Sequence, residues 1–353
     1  MCFMSYNLLI IRSLLFSVLV PNLSIGKCGV FDQKQERQGS MVETGWRHSE
    51  KIDYLTTTAD SIKVVIDDKL PLADPFVLYH QGKYYAYGTR VNGFEVYESN
   101  DLKYWKRHSQ LALSPNDSWG ERWFWAPEVY YIQSKNKFYM FYSVDEHICV
   151  ASSDTPYGPF MQEEKKPIVS EKAIDTHLFI DDDGTPYLYF VRFTDGNVIW
   201  VAEMNEDLRS IKPQTLTKCI SAEEPWETVQ GKVAEGPSVF KKGGMYYMMY
   251  SANHFESKDY GVGYATAASP NGPWKKYSGN PILRRDKPAA SKMVGTGHGA
   301  PFLDAQGMYK YIYHVHANEN RVGPRKSNIN DMEITKDGVV RIFGETVRPV
   351  VIK

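Results

Sequence analysis

Short apolar runs separated by polar turns follow one another along the chain from Val64 to its end. The runs are rich in tyrosine, valine and phenylalanine, which favour β-strands, and the turns between them carry glycine, asparagine and aspartate. No long stretch shows the period of an amphipathic helix. The pattern therefore predicts an all-β domain over residues 64–353.

The strands recur in a fixed order, in five units of roughly 50 to 60 residues each. Each unit opens with an apolar strand, passes through a turn into a tyrosine-rich strand and then a third strand, and closes on small polar residues and an aromatic. Units of this kind, with about four antiparallel strands each, are typical of propeller blades, so we expect a five-bladed β-propeller. A β-sandwich is the alternative, but it gives no reason for the same turn to recur.

The residues before the repeats divide into an apolar and a polar part. Leu8–Val20 is apolar, too short to cross a bilayer comfortably and placed where a secretion signal would lie, so we predict a signal peptide over 1–26 and no membrane span. Residues 27–63 are polar and show no period, which predicts a linker or an N-terminal wrap. We therefore expect export to the periplasm or the medium. A lipid anchor on Cys28 is disfavoured, because a lysine precedes it.

The composition limits the classes of partner that the chain is expected to bind. The formal net charge is −1 with both signs interspersed, which leaves no basic stripe for nucleic acid. Aromatic residues make up 14% of the chain, including 24 tyrosines and 8 tryptophans, which suits either a surface that stacks on sugar rings or β-sheet packing. Cys2 is expected to leave with the signal peptide, and Cys28, Cys149 and Cys219 are too few and too scattered for a disulfide framework. The composition thus argues against nucleic acid as a partner and leaves binding of a polysaccharide or an oligosaccharide open; we expect a monomer.

The first strand of every propeller blade lines the central axis, so the residues that open the five units should face one another. This places Asp74, Asp175 and Glu235 around one site, with Trp125 and His298 on the same ring. Each acid taken singly could be a turn or bend residue. Three acids at matching points of three repeats would repel one another and cost stability unless function retained them. The constellation suits the cleavage of sugars.

At these residues the chain resembles glycoside hydrolase family 43, over about Val64 to the C-terminus. The motifs that carry the resemblance are ADPF, WAPE, IDTHLF, AEGPSVF and GTGHGAPF. The resemblance implies that Asp74 is the general base, that Glu235 is the general acid, and that Asp175 orients the acid and keeps its pKa raised. Thr176 stands where the family usually has proline, which alters the entry to the strand and leaves the carboxylate in place.

The chemistry agrees with these roles. An inverting glycosidase needs an acid that protonates the leaving oxygen and a carboxylate that activates water on the opposite face, about 6.5–9.5 Å apart. Two facing blades can supply that separation. A neighbouring carboxylate such as Asp175 raises the pKa of the acid by like-charge repulsion and keeps it protonated near neutral pH.

Other residues are assigned to substrate or metal. Trp125 and Phe124 are predicted to form a sugar platform, with core packing as the alternative for both. Arg321 is predicted to contact substrate from a rim loop, where we also place the histidines 254, 314 and 316. For His298 the resemblance implies contact with a water-shelled structural calcium ion; the alternative is a hydrogen bond to the central carboxylates. The chemistry itself requires no cofactor.

The resemblance implies an enzyme that removes terminal pentoses, α-L-arabinofuranose or β-D-xylose, from plant-type polysaccharides or oligosaccharides with inversion. An endo-acting arabinanase or xylanase and a non-catalytic carbohydrate-binding propeller are the alternatives. A retaining fructosidase-type propeller would show an N-D-P-N-G motif, which the chain lacks. A phosphorylase would need a cationic cluster at the funnel, for which only Arg321 and Arg325 come into question.

Overall fold

The computed structural model describes residues 65–353. The predicted signal peptide over 1–26 and the predicted linker over 27–63 lie outside the described residues. Within 65–353, none of the helices has the length and apolar character needed to cross a membrane. That part of the chain is almost entirely β-structure joined by turns and loops.

The strands are short and follow one another closely. The first eight are β1 (Val65–Lys69), β2 (Ala73–His80), β3 (Lys83–Thr89), β4 (Tyr97–Ser99), β5 (Tyr104–Arg107), β6 (Trp125–Ile132), β7 (Lys137–Val144) and β8 (His147–Ser153). The next eight are β9 (Ala173–Ile180), β10 (Pro186–Phe193), β11 (Asn197–Glu203), β12 (Thr217–Ser221), β13 (Ala234–Lys242), β14 (Met245–Ala252), β15 (Gly261–Ala267) and β16 (Lys275–Lys276). The last five are β17 (Gly297–Leu303), β18 (Tyr309–Val315), β19 (Lys326–Ile334), β20 (Val340–Val347) and β21 (Val350–Ile352).

The helices are single 3-10 turns between strands. They span Pro115–Asp117, Gln133–Lys135, Pro213–Thr215, Pro225–Glu227 and Pro288–Ala290.

The strands form five separate sheets, which are the blades. Blades three, four and five each have four antiparallel strands in chain order, β9 to β12, β13 to β16 and β17 to β20. Blade two has three strands, β6 to β8, and a single bridge from Ser152 to Met161 extends its outer edge. The first strands of neighbouring blades pack against one another around the ring. The predicted five-bladed propeller is confirmed.

Blade one differs from the predicted four antiparallel strands because it holds both ends of the described chain. Its order is β1-β21-β5-β4-β3-β2, with β21 parallel to β5 and antiparallel to β1. The last strand is therefore bonded into the first blade. Backbone hydrogen bonds in this sheet close the ring, in addition to the packing of β17 on β2.

Every inner strand has a β-bulge near its beginning, where its register with the second strand shifts. One residue in each bulge, here called the bulge residue, has a positive φ. The bulge residues are Asp74 (48°), Ala126 (43°), Asp175 (56°), Gly236 (56°) and His298 (38°). Asp74, Asp175 and His298 are thus equivalent. Glu235 precedes its bulge residue by one position, as Trp125 does, so the three acids do not share one register as the motifs had suggested.

Many of the tyrosines pack between blades with their hydroxyl groups satisfied. Tyr142 and Tyr250 are fully buried in the second strands of blades two and four. The Tyr142 hydroxyl lies 2.8 Å from Ser118 Oγ, and the Tyr250 hydroxyl donates to Glu227 Oε1 at 2.6 Å. Sheet packing therefore accounts for much of the aromatic content.

Candidate active site

A cavity of about 280 Å³ opens where the inner strands meet at the axis. Side chains from all five blades and their connecting loops line it. They are Asp74, Trp125, Ile174, Asp175, Asn197, Val233, Glu235, His254, Phe255, His298 and Arg325. The topology thus brings together the three predicted acids, Trp125 and His298, although they are far apart in sequence.

Asp74 is held as a carboxylate. Arg325 binds it with both terminal nitrogens, Nη1 to Oδ1 at 2.8 Å and Nη2 to Oδ2 at 3.2 Å. Thr89 Oγ1 donates to Oδ2 at 2.5 Å, and His298 Nδ1 lies 3.3 Å from Oδ1. Burial alone would raise the pKa of Asp74, but the charges of Arg325 and His298 outweigh it and hold the pKa well below its usual value.

Asp175 and His298 lie next to Asp74 on the axis. His298 Nδ1 is 3.9 Å from Asp175 Oδ2, and the same oxygen accepts the N–H of Gly236 at 3.2 Å. Burial, with the charge of Asp74, raises the pKa of Asp175. Burial would lower the pKa of His298, but Asp175, Asp74 and Glu235 outweigh it and raise that pKa. The imidazole therefore favours its cationic form, which partly compensates the acids around it.

Glu235 has the environment of a carboxylic acid that stays protonated. Asn197 Nδ2 donates to its Oε2 at 2.9 Å, and the Tyr260 hydroxyl donates to Oε1 at 2.7 Å. Burial and then the negative charge of Asp175 raise the pKa of Glu235 to about 7. Asp74 and Glu235 thus have opposite perturbations in one cavity, which is how a pair of carboxyl groups divides acid and base roles.

The backbone at the axis is strained where its side chains converge. Asp74, Asp175 and His298 are not glycines, yet all three have φ values in the left-handed region. Such conformations cost of order 1–3 kcal/mol each and persist where the surrounding structure enforces them. The strained conformation belongs to the bulge, and the bulge turns each of these side chains towards the axis.

Two of the residues predicted to contact substrate lie elsewhere. Phe124 is fully buried, edge-on to Phe94 and stacked with Tyr142, so it belongs to the core between blades one and two and not to a sugar platform. Arg321 is exposed in a turn and does not line the cavity; the cation at the site is Arg325. Trp125, which was predicted together with Phe124, does line the cavity.

The histidines predicted in rim loops separate into different environments. His254 lines the cavity. His314 lies within β18 and is fully buried, stacked on Tyr260, with Nδ1 accepting the N–H of Asp74 at 3.1 Å. Burial and the charge of Arg325 lower the pKa of His314 to about 3, so it is neutral. His316 Nε2 lies 2.8 Å from the carbonyl oxygen of Phe255 and supports the loop that borders the cavity.

Sequence reasoning missed several residues that complete the site. They are Thr89, Asn197, Phe255, Tyr260 and, as the partner of Asp74, Arg325. All except Thr89 and Asn197 lie in loops between the second and third strands of a blade, whose paths the strand pattern does not determine. Thr89 ends the second strand directly opposite Ala73, and this register could have identified it.

The side chains present do not by themselves form a calcium site. Calcium prefers six to eight oxygen ligands, and within residues 65–353 no group of three or more acidic, histidine or cysteine side chains is arranged to hold a metal. His298 directs Nδ1 at Asp74 and Asp175. Calcium binding therefore stays a prediction, checked by the melting temperature before and after chelation, and no step below uses a metal.

Glycosidases use a pair of carboxyl groups with different pKa values to cleave the glycosidic bond, and the axial cavity holds two carboxyl groups whose pKa values are shifted in opposite directions. The family model for glycosyl hydrolases family 43 matches residues 65–340. The chain belongs to this family, and it is a glycoside hydrolase.

Characterised relatives and solved structures extend the comparison. A crystal structure of an endo-1,4-β-xylanase from Bacteroides thetaiotaomicron is 61% identical, with a TM-score of 0.78, covering 81% of this chain and 98% of that one. A β-D-galactofuranosidase from Aspergillus niger is 29% identical over 76% of this chain and 81% of its own. An extracellular endo-α-(1→5)-L-arabinanase from Bacillus subtilis is 27% identical over 60% of this chain and 70% of its own.

Proposed function

We propose that the enzyme removes terminal pentoses, α-L-arabinofuranosyl or β-D-xylosyl units, from plant polysaccharides and oligosaccharides with inversion of configuration. The observation that carries the proposal is the pair of opposed perturbations in one cavity. Arg325 and His298 hold the pKa of Asp74 well below its usual value, while burial and Asp175 raise the pKa of Glu235 to about 7, so that Glu235 is mostly protonated below that pH.

The reaction is a single displacement. Asp74 accepts a proton from a water molecule as the water oxygen attacks the anomeric carbon. Glu235 gives its proton to the glycosidic oxygen as the bond from that oxygen to the anomeric carbon breaks. Asp74 ends protonated and Glu235 ionised, and exchange with solvent restores both. His298, between Asp74 and Asp175, limits the repulsion that would otherwise protonate the base.

The size of the cavity supports action on a chain end. Its volume, about 280 Å³, lies just below the usual range for ligand pockets, about 300–1,000 Å³, and suits a short segment of substrate. Trp125 is partly exposed on its wall and offers an indole face to a sugar ring. The relatives act on xylan, arabinan and galactofuranosides by their names, so pentoses and furanoses are the first substrates to test.

Endo-action is the second candidate. The 61% identical Bacteroides thetaiotaomicron structure is named an endo-1,4-β-xylanase. Products from linear xylan and debranched arabinan, followed over time by ion-exchange chromatography, separate the two. Monosaccharide as the first product supports exo-action, and a ladder of oligosaccharides supports endo-action. NMR of the first product before mutarotation checks the configuration, and retention would overturn the mechanism.

We further propose that the enzyme acts as an exported monomer. The apolar Leu8–Val20 stretch and the extracellular Bacillus subtilis relative support export. Fractionation of the native producer cells, with light scattering of the purified chain, tests both points.

A further inference from the structure

The backbone N–H groups of the bulge residues are not free in the core of the propeller. Four of them donate to a side chain on the second strand of the preceding blade. The bonds run from Ala126 to Thr89 Oγ1 (2.9 Å), from Asp175 to Ser143 Oγ (3.0 Å), from His298 to Ser251 Oγ (2.7 Å) and from Asp74 to His314 Nδ1 (3.1 Å). A buried N–H without an acceptor would be costly, so these bonds stabilise the bulges.

The four acceptors occupy one structural position. Each pairs with the residue just before the bulge residue of its own blade. The pairs are Thr89 with Ala73, Ser143 with Trp125, Ser251 with Glu235 and His314 with Gly297. The same kind of hydrogen bond therefore links four of the five pairs of neighbouring blades, including the pair formed by blades five and one.

The fifth position is different. In blade three the equivalent residue is Val191, which pairs with Ile174 and has no acceptor in its side chain. The backbone N–H that an acceptor at Val191 would bind is that of Gly236, the residue after Glu235. That N–H donates instead to Oδ2 of Asp175, at 3.2 Å. An acid of the active site thus takes the place that a side chain of the second strand takes elsewhere.

We propose that Thr89, Ser143, Ser251 and His314 are positioning residues that aim the axial side chains, and that the missing acceptor at Val191 determines the orientation of Asp175. Each bond fixes the peptide of a bulge residue, and the peptide fixes the direction of the side chain on it. Because Val191 offers no acceptor, the Asp175 carboxylate bonds to the peptide that follows Glu235. The roles of the acids rest on the proposed function, whereas the hydrogen-bond pattern does not.

A double-mutant cycle tests the missing acceptor without measuring activity. Val191→Thr adds a hydroxyl at nearly constant volume, and Thr89 shows that threonine suits this position. In the wild type, Gly236 N–H is already bonded to Asp175. In Asp175→Ala that N–H is orphaned, and the hydroxyl introduced by Val191→Thr would accept it. We expect the change in melting temperature caused by Val191→Thr to be about 2 °C more positive in the Asp175→Ala background than in the wild type.

Val191→Ala is the matched control, because it changes packing at the same place without adding an acceptor. It should show no such coupling to Asp175→Ala. Equal coupling for threonine and alanine, or none for threonine, would overturn the proposal.

A spectroscopic measurement reads the same bond directly. The sequence contains one Glu–Gly dipeptide, Glu235–Gly236, so cell-free labelling with carbonyl-¹³C glutamate and ¹⁵N glycine isolates a single amide signal. Its proton should move upfield in Asp175→Ala and return downfield in Asp175→Ala/Val191→Thr, but not in Asp175→Ala/Val191→Ala. An amide signal unaffected by Asp175→Ala would contradict the assigned bond.

Activity then tests the positioning role. Ser143→Ala removes the acceptor for the N–H of Asp175, and we expect kcat to fall about tenfold while KM changes little. Ser143→Thr keeps the hydroxyl and should recover most of the rate. Equal losses in both variants would show that Ser143 only packs. An inactive wild type would refute the proposed function and leave the cycle and the amide signal as tests of the hydrogen bonds.

Discussion

Burial raises the pKa of both carboxyl groups of the proposed catalytic pair, Asp74 and Glu235, but only at Asp74 do neighbouring charges outweigh it. Asp74 has a bidentate arginine and the imidazole of His298, whose pKa is raised by the surrounding acids, so its charge is stabilised. For Glu235 the charge of His298 and the hydrogen bond from Tyr260 lower the pKa, but burial and the negative charge of Asp175 outweigh them. The difference lies in the partners that each blade brings to the axis.

The acid role predicts a dependence on the leaving group. Glu235→Gln should lower kcat/KM on natural glycosides by roughly 10²- to 10⁴-fold, because the leaving oxygen is no longer protonated. Nitrophenyl glycosides with strongly acidic leaving groups should be largely spared. Asp74→Asn should harm both kinds of substrate, since attack by water is always needed. Steady-state kinetics over a series of leaving groups decides the matter, and equal losses for Glu235→Gln on all of them would refute the role.

The raised pKa predicts the alkaline limb of the pH profile. The acid must be protonated, so kcat/KM should fall as pH rises through about 7, the pKa of Glu235. In Asp175→Asn a negative neighbour is removed, the pKa of Glu235 falls, and the limb should move to lower pH. Profiles measured on one good substrate test the shift. A limb that stays in place would show that Asp175 does not raise the pKa.

The same pKa has a consequence for stability. A buried carboxyl group whose folded-state pKa is raised stabilises the fold only while it is protonated, and this contribution is lost as pH rises from about 4.5 to about 7. Glu235→Gln should therefore raise the melting temperature at pH 8 relative to wild type, and raise it less at pH 5. Calorimetry at the two pH values tests the difference, and an equal shift at both would contradict it.

At the scale of the element, the bulge is the unit that makes the site. It converts a plain inner strand into one that carries a side chain to the axis. In blade four the bulge residue is Gly236, and a Cβ built there would lie 2.9 Å from the ring of His298. The glycine thus leaves room for the imidazole between the carboxylates.

This contact predicts a specific loss for Gly236→Ala. The methyl group should displace His298, and the positive φ of 56° adds backbone strain, so we expect kcat/KM to fall at least tenfold. Gly244→Ala is the matched control, because that residue also has a positive φ, 78°, but open space around it. It should cost about 1–2 kcal/mol of stability and leave the kinetics unchanged. Similar kinetics for both variants would contradict the role of the contact.

The strand pattern predicted the inner strands well, because their apolar runs and turns are local signals. It did not show the bulges, because a positive φ at Asp74 or His298 depends on hydrogen bonds to another blade and leaves no mark in the residue type. For that reason the one-residue offset of Glu235 was missed. Phe124 was misplaced for a related reason, since adjacent residues of extended chain point to opposite sides and the register of Phe124 and Trp125 was unknown.

At the scale of the whole molecule, the repeats determined the number of blades, and the motifs placed the axial residues on one ring. The pattern of strands did not predict how the last strand closes the propeller ring. A three-residue strand such as β21 carries too little periodicity to be assigned a partner in blade one, and its parallel pairing with β5 is non-local. Arg325 was underrated for the same reason, because its contact with Asp74 crosses the seam between blades five and one.

The closure predicts a large effect of a small truncation. Removing residues 350–353 deletes β21 and its bonds to β5 and β1. We expect the melting temperature to fall by about 5 °C or more, with loss of activity as the seam loosens around Arg325 and Asp74. Removing Lys353 alone, which lies beyond β21, is the control. Thermal unfolding of the two variants tests this, and a stable, active 350–353 deletion would contradict it.

The closure also bears on how the enzyme is made. On the ribosome the blades emerge in order, and Asp74 is among the first residues of the propeller to appear. Its partners Arg325, His298 and His314 all belong to blade five and emerge last. A nascent chain with four finished blades therefore already contains Glu235 with Asp175, Asn197 and Tyr260, but Asp74 lacks its countercharge. Asp74 therefore gains its countercharge only after blade five has been made and joins the blade that was made first.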